Sequence, residues 1–218
     1  VWKVEITNQG TQAVEVDSIN LLEIDPALGG RVTWPKAEGQ GELGFYSNGW
    51  QSWSPSRWYA ADGRMENSRL GGLQLPMIQN PGTPLPNAKG KFSSDFFAVL
   101  GDRSARSGFV LGSLSQLNHF TSVFADFNNE TKLSMWANGD GARLDPGRTM
   151  STDWAVFNPI LLDHRDPVDK YLEAVARENR VDVPAESHTG WCSWYHFYTK
   201  IYEPIIQENL KTIVEGEE

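Results

Sequence analysis

Two short segments of the sequence combine tryptophan with small polar residues. The first reads Gly49-Trp50-Gln51-Ser52-Trp53 and the second reads Gly190-Trp191-Cys192-Ser193-Trp194-Tyr195. Flat aromatic faces stack on the apolar face of a sugar ring, and short amide and hydroxyl groups pair with its hydroxyls. The candidate sugar contacts are therefore Trp50, Gln51, Trp53, Trp191, Ser193, Trp194 and Tyr195. Tryptophan pairs are also typical of β-sandwich cores, so residue types alone leave both interpretations open.

Signatures of other chemistry are missing from the sequence. Its four histidines lack the His-x-His or Cys-x-x-Cys spacing of metal sites, and no glycine-rich nucleotide-binding motif occurs. Cys192 adjoins Ser193, but no Gly-x-Ser-x-Gly motif surrounds them, and we interpret Cys192 as a small residue filling a strand. We therefore expect no metal and no cofactor.

The overall charge is acidic, with a formal net value of -9 over 218 residues. An acidic chain offers no basic surface for nucleic acid, and no apolar run approaches the roughly 20 residues of a membrane span. We expect neither partner. One cysteine and no leader before the first strand pattern favour a cytoplasmic protein, although the chain begins at Val1 and an N-terminal piece could precede it.

Residues 1–163 alternate apolar and polar side chains in short runs separated by turn residues, which predicts an antiparallel β-sandwich. Three hairpins are expected. They pair residues 2–6 with 14–16, residues 96–100 with 109–111 across 101–104, and residues 123–127 with 133–135 across 128–131.

Between residues 54 and 91 this alternation fails and prolines are frequent. The stretch also carries Trp58, Tyr59, Met65, Leu70, Leu73 and Leu75. Long irregular segments with apolar side chains are often functional, so we favour an ordered flap, with a meandering edge of the sandwich as the alternative.

Residues 164–186 are predicted to form a linking helix and a connection. Asp166 is a suitable N-cap and Pro167 suits the first helical position, and apolar residues then recur at helical spacing. A strand over 189–195 and a helix over 204–214 follow. On that strand, Trp191, Ser193 and Tyr195 would share one face. Residues 187–218 thus predict the first βα unit of a truncated (β/α)₈ barrel, unless the strand joins the sandwich and the helix packs alone.

Several motifs, taken in order, resemble the family 36 α-galactosidases, or melibiases. They are residues 48–53, Ser94-Asp95-Phe96-Phe97, the 108–124 stretch with Gly112, Ser115 and Phe120, and above all Thr189-Gly190-Trp191-Cys192-Ser193-Trp194-Tyr195-His196-Phe197. The resemblance covers almost the whole chain. It implies a mainly β chain, with a sandwich leading into a catalytic barrel that hydrolyses terminal α-1,6-linked galactose, as in melibiose and raffinose-type oligosaccharides, with retention of configuration.

The resemblance also assigns roles to residues. Both catalytic carboxylates of such an enzyme are aspartates on later barrel strands, so we expect them downstream of Glu218 and no catalytic residue in this chain. Trp53 matches a tryptophan that forms an apolar wall for galactose, and Trp194 and Tyr195 match the end of the first barrel strand. Trp50, Gln51, Trp191 and Ser193 are second choices.

A galactose-containing oligosaccharide is the expected partner, and the oligomeric state stays open. The alternatives are a non-catalytic carbohydrate-binding β-sandwich and, among enzymes, an α-N-acetylgalactosaminidase or a raffinose synthase relative. The residues that discriminate between these enzymes are expected outside the 218 residues.

Overall fold

A computed structural model describes residues 1–34, 41–66, 78–163, 165–182 and 190–216. The chain divides into two compact units, Val1–Val181 and Asp182–Glu218. Each unit is described by itself below.

The described part of the first unit is built from β-strands of three to 13 residues and one α-helix, α1 (Asp169–Glu178). The strands are β1 (Glu5–Thr7), β2 (Val14–Ile24), β3 (Leu43–Ser47), β4 (Arg57–Ala60), β5 (Lys91–Asp95), β6 (Phe97–Asp102), β7 (Ser107–Ser113), β8 (Thr121–Asp126), β9 (Lys132–Leu144), β10 (Thr149–Ser151) and β11 (Ala155–Leu161).

These strands form two principal antiparallel sheets within the described part of the chain. One has the order β11-β7-β6-β3-β4 and the other the order β2-β9-β8-β5, while β1 and β10 form a separate two-stranded sheet. The mainly β, antiparallel architecture predicted from the alternating pattern is confirmed.

The core lies between the two principal sheets. Phe45, Leu100 and Leu111 from one sheet pack in one buried cluster with Phe92 and Met135 from the other. The Phe45 and Phe92 rings stack across this layer, with centroids 5.6 Å apart. Since alternate residues of each strand face the same side, burial of these side chains brings the two sheets face to face as a sandwich.

Two of the three predicted hairpins are confirmed. In the β6–β7 hairpin Leu100 lies opposite Phe109, and in the β8–β9 hairpin Ala125 lies opposite Leu133. The first of these turns falls after Asp102 rather than over residues 101–104, because the two strands pair as far as Asp102 and Ser107.

The hairpin predicted at the N-terminus is wrong. β1 pairs with β10, with Ile6 opposite Met150, and β2 pairs with β9, with Val14 opposite Leu144. The 13-residue β9 gives β2 a long hydrogen-bonded ladder and buries Val16. A hairpin with the three residues of β1 would offer far fewer hydrogen bonds, so the longer-range pairing prevails.

Helix α1 packs on the outer face of the five-stranded sheet. Its Tyr171 is buried beside Val99 and Val110, which alternate along their strands with residues that face the core. The helix begins at Asp169, later than the predicted Pro167. The Asp169 N–H instead donates to the carbonyl of Asp166, so these residues form a turn before the helix.

Part of the irregular stretch from residue 54 to 91 is an edge of the sandwich. β4 is the outermost strand of its sheet and carries the buried Tyr59. Ile78 is also buried, so the described part of the stretch contributes buried side chains as well as exposed ones. The predicted contributions of Leu70, Leu73 and Leu75 lie outside the described residues.

The second unit contains the short helix α2 (Trp194–Phe197) and the helix α3 (Glu203–Glu215). The helix predicted over 204–214 is confirmed, but the strand predicted over 189–195 is wrong in its described part, residues 190–195. A barrel strand is stabilised by hydrogen bonds to strands on both sides, and the described residues of this unit form no other strand. Cys192 is accordingly exposed, which corrects its interpretation as a strand filler.

Candidate functional site

The first tryptophan segment lies in the connection between β3 and β4, residues 48–56, which we call the tryptophan loop. Its beginning is fixed to the end of β5. The Asn48 N–H donates to the Ser94 hydroxyl at 2.8 Å, and the Asp95 N–H donates to the Asn48 carbonyl at 3.0 Å. The Asn48 side chain adds a bond from its amide to the Asp95 carbonyl at 3.1 Å. The first residue of the loop is therefore anchored to the end of β5 by these hydrogen bonds.

Hydrogen bonds within the tryptophan loop define a tight turn. The Trp53 N–H donates to the side-chain oxygen of Gln51 at 3.0 Å, and the Ser54 N–H donates to the Gln51 carbonyl at 2.9 Å. Gly49 suits this turn because an added Cβ would lie 2.6 Å from the Ser54 Cβ. Gln51 thus orders the loop through its side-chain oxygen, and the sugar contact predicted for it stays a prediction.

Trp50 and Trp53 are each half-buried in the sandwich unit. The Trp50 ring contacts Phe120 edge-on at 5.2 Å, and Phe120 contacts Phe96 at 5.9 Å. Neither tryptophan belongs to a buried core cluster of the described residues. Both loop tryptophans therefore retain solvent-accessible surface, as a sugar-stacking residue requires.

A buried carboxylate lies beneath the tryptophan loop. Asp95 accepts hydrogen bonds from the Thr83 hydroxyl at 2.7 Å and from the Asn80 amide at 3.1 Å, and it also accepts one from the Trp50 N–H. Burial raises the pKa of Asp95, and these three hydrogen bonds only partly offset that effect. The residue types around Asp95 did not mark it as a support of the loop.

The cavity beside Asp95 is too small for a sugar. It has a volume of about 30 Å³ and is lined by backbone and side chains of the tryptophan loop, of β5 and of residues 78–85. A volume of this size suits one or two water molecules, whereas ligand pockets usually span about 300–1,000 Å³. This cavity is therefore not a sugar-binding pocket.

The second aromatic segment, residues 190–195, belongs to the second unit. Trp191, Trp194 and Tyr195 are exposed, Tyr195 to 95%, while Ser193 is half-buried. Trp194 contacts the Tyr198 ring at 4.5 Å. Because residues 190–195 are not a strand, the predicted shared face of Trp191, Ser193 and Tyr195 does not form. The candidate residues of the tryptophan loop therefore lie in the first unit, and those of residues 190–195 lie in the second.

One hydroxyl and three backbone N–H groups of the loop between β7 and β8 converge on a second buried carboxylate, Asp153. It accepts hydrogen bonds from the Ser115 hydroxyl and from the N–H groups of Leu117, Asn118 and His119. Burial raises the pKa of Asp153, but the hydrogen bonds lower it by more, so the pKa lies below its usual range. Nothing in the sequence around Asp153 signalled this role.

No family model matches the chain. The resemblance stated above therefore rests on the motifs themselves. Among the described residues, no group of three or more histidine, cysteine, aspartate or glutamate side chains could hold a metal ion. None of the helices in the described ranges is long and apolar enough to cross a membrane.

Proposed function

We propose that the chain is the N-terminal part of a retaining α-galactosidase acting on terminal α-1,6-galactosides such as melibiose and raffinose-type oligosaccharides. The tryptophan loop is the observation that carries this proposal. It holds Trp50 and Trp53 half-exposed on an antiparallel sandwich, within the motif that resembles the family 36 enzymes.

In this proposal the chain binds the sugar and does not cleave it. Trp53 supplies an apolar wall for the galactose ring, and Trp50 is on the same loop. Retaining hydrolysis needs two carboxylates about 5 Å apart, one as nucleophile and one as acid. We assign both to aspartates of a (β/α)₈ barrel that follows residue 218.

The exposed apolar surface of the second unit supports the same proposal. Trp194 and Tyr195 are accessible, and Ile206, Leu210 and Ile213 on helix α3 are each more than 40% exposed. Apolar helix faces of this kind are normally covered by a sheet in α/β folds. We propose that residues 187–218 complete the first unit of the barrel when neighbouring strands are present, and that the protein is cytoplasmic.

A non-catalytic carbohydrate-binding sandwich is the second candidate. It is favoured by two observations: residues 190–195 do not form the strand that a barrel requires, and residues 1–181 form a compact unit that carries the tryptophan loop by itself. The α-N-acetylgalactosaminidase and raffinose synthase relatives would share the sandwich and differ in the catalytic region.

Sugar binding is tested by titrating the 218-residue chain with melibiose and following its tryptophan indole N–H signals by NMR. We expect the Trp53 signal, assigned with a Trp53→Phe variant, to shift with melibiose and galactose. Trp53→Ala should weaken binding by up to about tenfold, since stacking contributes on the order of 0.5–1.5 kcal/mol. Trp154→Ala is the matched control, because Trp154 is a part-exposed tryptophan outside the loop, near Lys3. Unchanged Trp50 and Trp53 signals at saturating melibiose contradict the proposal.

A hydrolysis assay distinguishes the proposed enzyme from the non-catalytic binding module. The 218-residue chain should not cleave p-nitrophenyl α-galactoside, while a gene product that continues through the barrel should cleave it and release α-galactose first. Turnover by the short chain would show that a carboxylate pair lies within it. Binding without hydrolysis by the longer product would favour the binding module.

A further inference from the structure

Asp95, at the end of β5, joins two other segments of the first unit, the tryptophan loop and residues 80–83. The carboxylate receives the N–H of Trp50 from the tryptophan loop, the amide of Asn80 and the hydroxyl of Thr83. Its own N–H donates to Asn48, at the start of the same loop, at 3.0 Å. Asp95 therefore holds the loop by its backbone before Trp50 and by its side chain at Trp50.

The hydrogen bonds continue from Asp95, on β5, to the next two strands of the four-stranded sheet, β8 and β9. Thr83 shares a 2.6 Å hydrogen bond with Ser122 on β8, and the Asn138 amide on β9 donates to Ser122 at 2.8 Å. The Trp136 indole N–H then donates to Asn138 at 2.8 Å. Through this network the loop is anchored to two neighbouring strands rather than to its own sheet alone.

Asp95 is a support and not a surface ligand, because it is only 8% exposed. Three neutral donors hold its carboxylate, and both loop tryptophans keep part of their surface accessible. A buried group that accepts several hydrogen bonds fixes its donors firmly, since leaving any of them unpaired is costly.

We propose that Asp95 is a positioning residue, whose carboxylate fixes the tryptophan loop in the conformation that presents Trp50 and Trp53 to a sugar. This inference rests on the proposed function for the contact with sugar. The fixing of the loop itself can be measured without any sugar.

A matched control lies at the opposite end of β3. Asp102 is 5% exposed and accepts hydrogen bonds from the Ser104 hydroxyl at 2.7 Å and the Ala105 N–H at 3.0 Å. It lies opposite Leu43, where β3 begins, whereas the tryptophan loop follows Ser47, where β3 ends. Asp102→Ala therefore removes a carboxylate of similar solvent exposure from the five-stranded sheet, at the end of β3 that is away from the tryptophan loop.

The experiment compares amide hydrogen exchange and melibiose affinity in the full chain and three variants. In Asp95→Ala we expect the Trp50 amide to exchange at least tenfold faster and the melibiose Kd to rise at least tenfold. Asp95→Asn keeps one acceptor oxygen but replaces the other by an amide, so both effects should be smaller than in Asp95→Ala and larger than in the wild type. Asp102→Ala should accelerate Ala105 exchange and leave Trp50 exchange and the Kd unchanged.

The outcomes separate the two proposals. Unchanged Trp50 exchange in folded Asp95→Ala overturns the inference, as does a loosened loop that binds melibiose with the original Kd. If the wild-type chain does not bind melibiose, the proposed function fails while the exchange data still decide whether Asp95 fixes the loop. Should Asp95→Ala not fold, Thr83→Val removes one donor and should accelerate Trp50 exchange by a smaller factor; no acceleration there also overturns the inference.

Discussion

The indole of Trp50 meets the ring of Phe120 edge-on, with centroids 5.2 Å apart and ring planes at 81°. Trp50 lies in the tryptophan loop after β3, and Phe120 immediately precedes β8 in the opposite sheet. An edge-to-face contact of this kind is a favoured aromatic geometry. It therefore couples the loop to the four-stranded sheet independently of Asp95.

Phe120→Ala should lower the free energy of unfolding by about 1 kcal/mol, the usual contribution of an aromatic pair. The loss is expected to be smaller than for a core phenylalanine because Phe120 is 44% exposed. Urea denaturation measures the change, and the Trp50 indole signal should shift at the same time. Leu117→Ala is the control, since Leu117 is in the same connection and 78% exposed. Equal effects of both variants would contradict a specific Trp50–Phe120 contact.

Tyr171→Phe should weaken the packing of helix α1 on the five-stranded sheet. The Tyr171 hydroxyl donates to the Ser113 carbonyl at 2.7 Å, and burial raises the pKa of this hydroxyl. Loss of the hydrogen bond should lower the free energy of unfolding by about 1 kcal/mol, while the ring keeps its contact with Phe97. Thermal unfolding measures the difference. Tyr195→Phe serves as the control because Tyr195 is 95% exposed, and a loss of similar size there would contradict the assigned role.

Asp153 should make the first unit sensitive to acid. Its pKa is lowered in the folded chain, so its stabilising effect is present above the ordinary aspartate value of about 3.9 and is lost as the pH falls through the folded value. Asp153→Asn replaces one acceptor oxygen by an amide facing backbone N–H groups. We expect it to lose about 1–3 kcal/mol at pH 7 and to lose less on acidification than the wild type. Parallel curves of stability against pH for the two proteins would contradict this.

The contribution of Asp95 to the free energy of unfolding should change with pH in the direction opposite to that of Asp153. Burial raises its pKa, so between about 3.9 and the folded value the folded chain holds a proton that the unfolded chain has released. The contribution of Asp95 to the free energy of unfolding therefore falls as the pH rises through this window. Carboxyl ¹³C shifts should give Asp95 a pKa above 3.9, and Asp95→Asn should remove its share of the pH dependence. A titration at or below 3.9 would show that the three hydrogen bonds outweigh burial.

Much of the sandwich was predictable because the alternating residues and the turn residues of the sequence indicate the same strands. The alternating residues and turn residues of β6–β7 and β8–β9 predict hairpins that the fold contains, and helix α3 follows from its apolar spacing. The tryptophan loop was predictable as a candidate site from residue types. The turn-forming role of Gln51 was not, because an amide that binds a sugar and one that accepts a backbone N–H look the same in sequence.

Residue order by itself determined the acidic charge, the short β-strands and the grouping of tryptophan with small polar residues. Only the tertiary structure decided that β2 pairs with β9 and that Asp95 meets Thr83 and Asn80. Strand partners are selected by competition among edges that are distant in the chain. The donors that hydrogen-bond to a buried carboxylate likewise come from the segments that the packing of the two sheets places next to it. Both outcomes depend on burial and hydrogen-bond satisfaction in the assembled fold, which no local pattern contains.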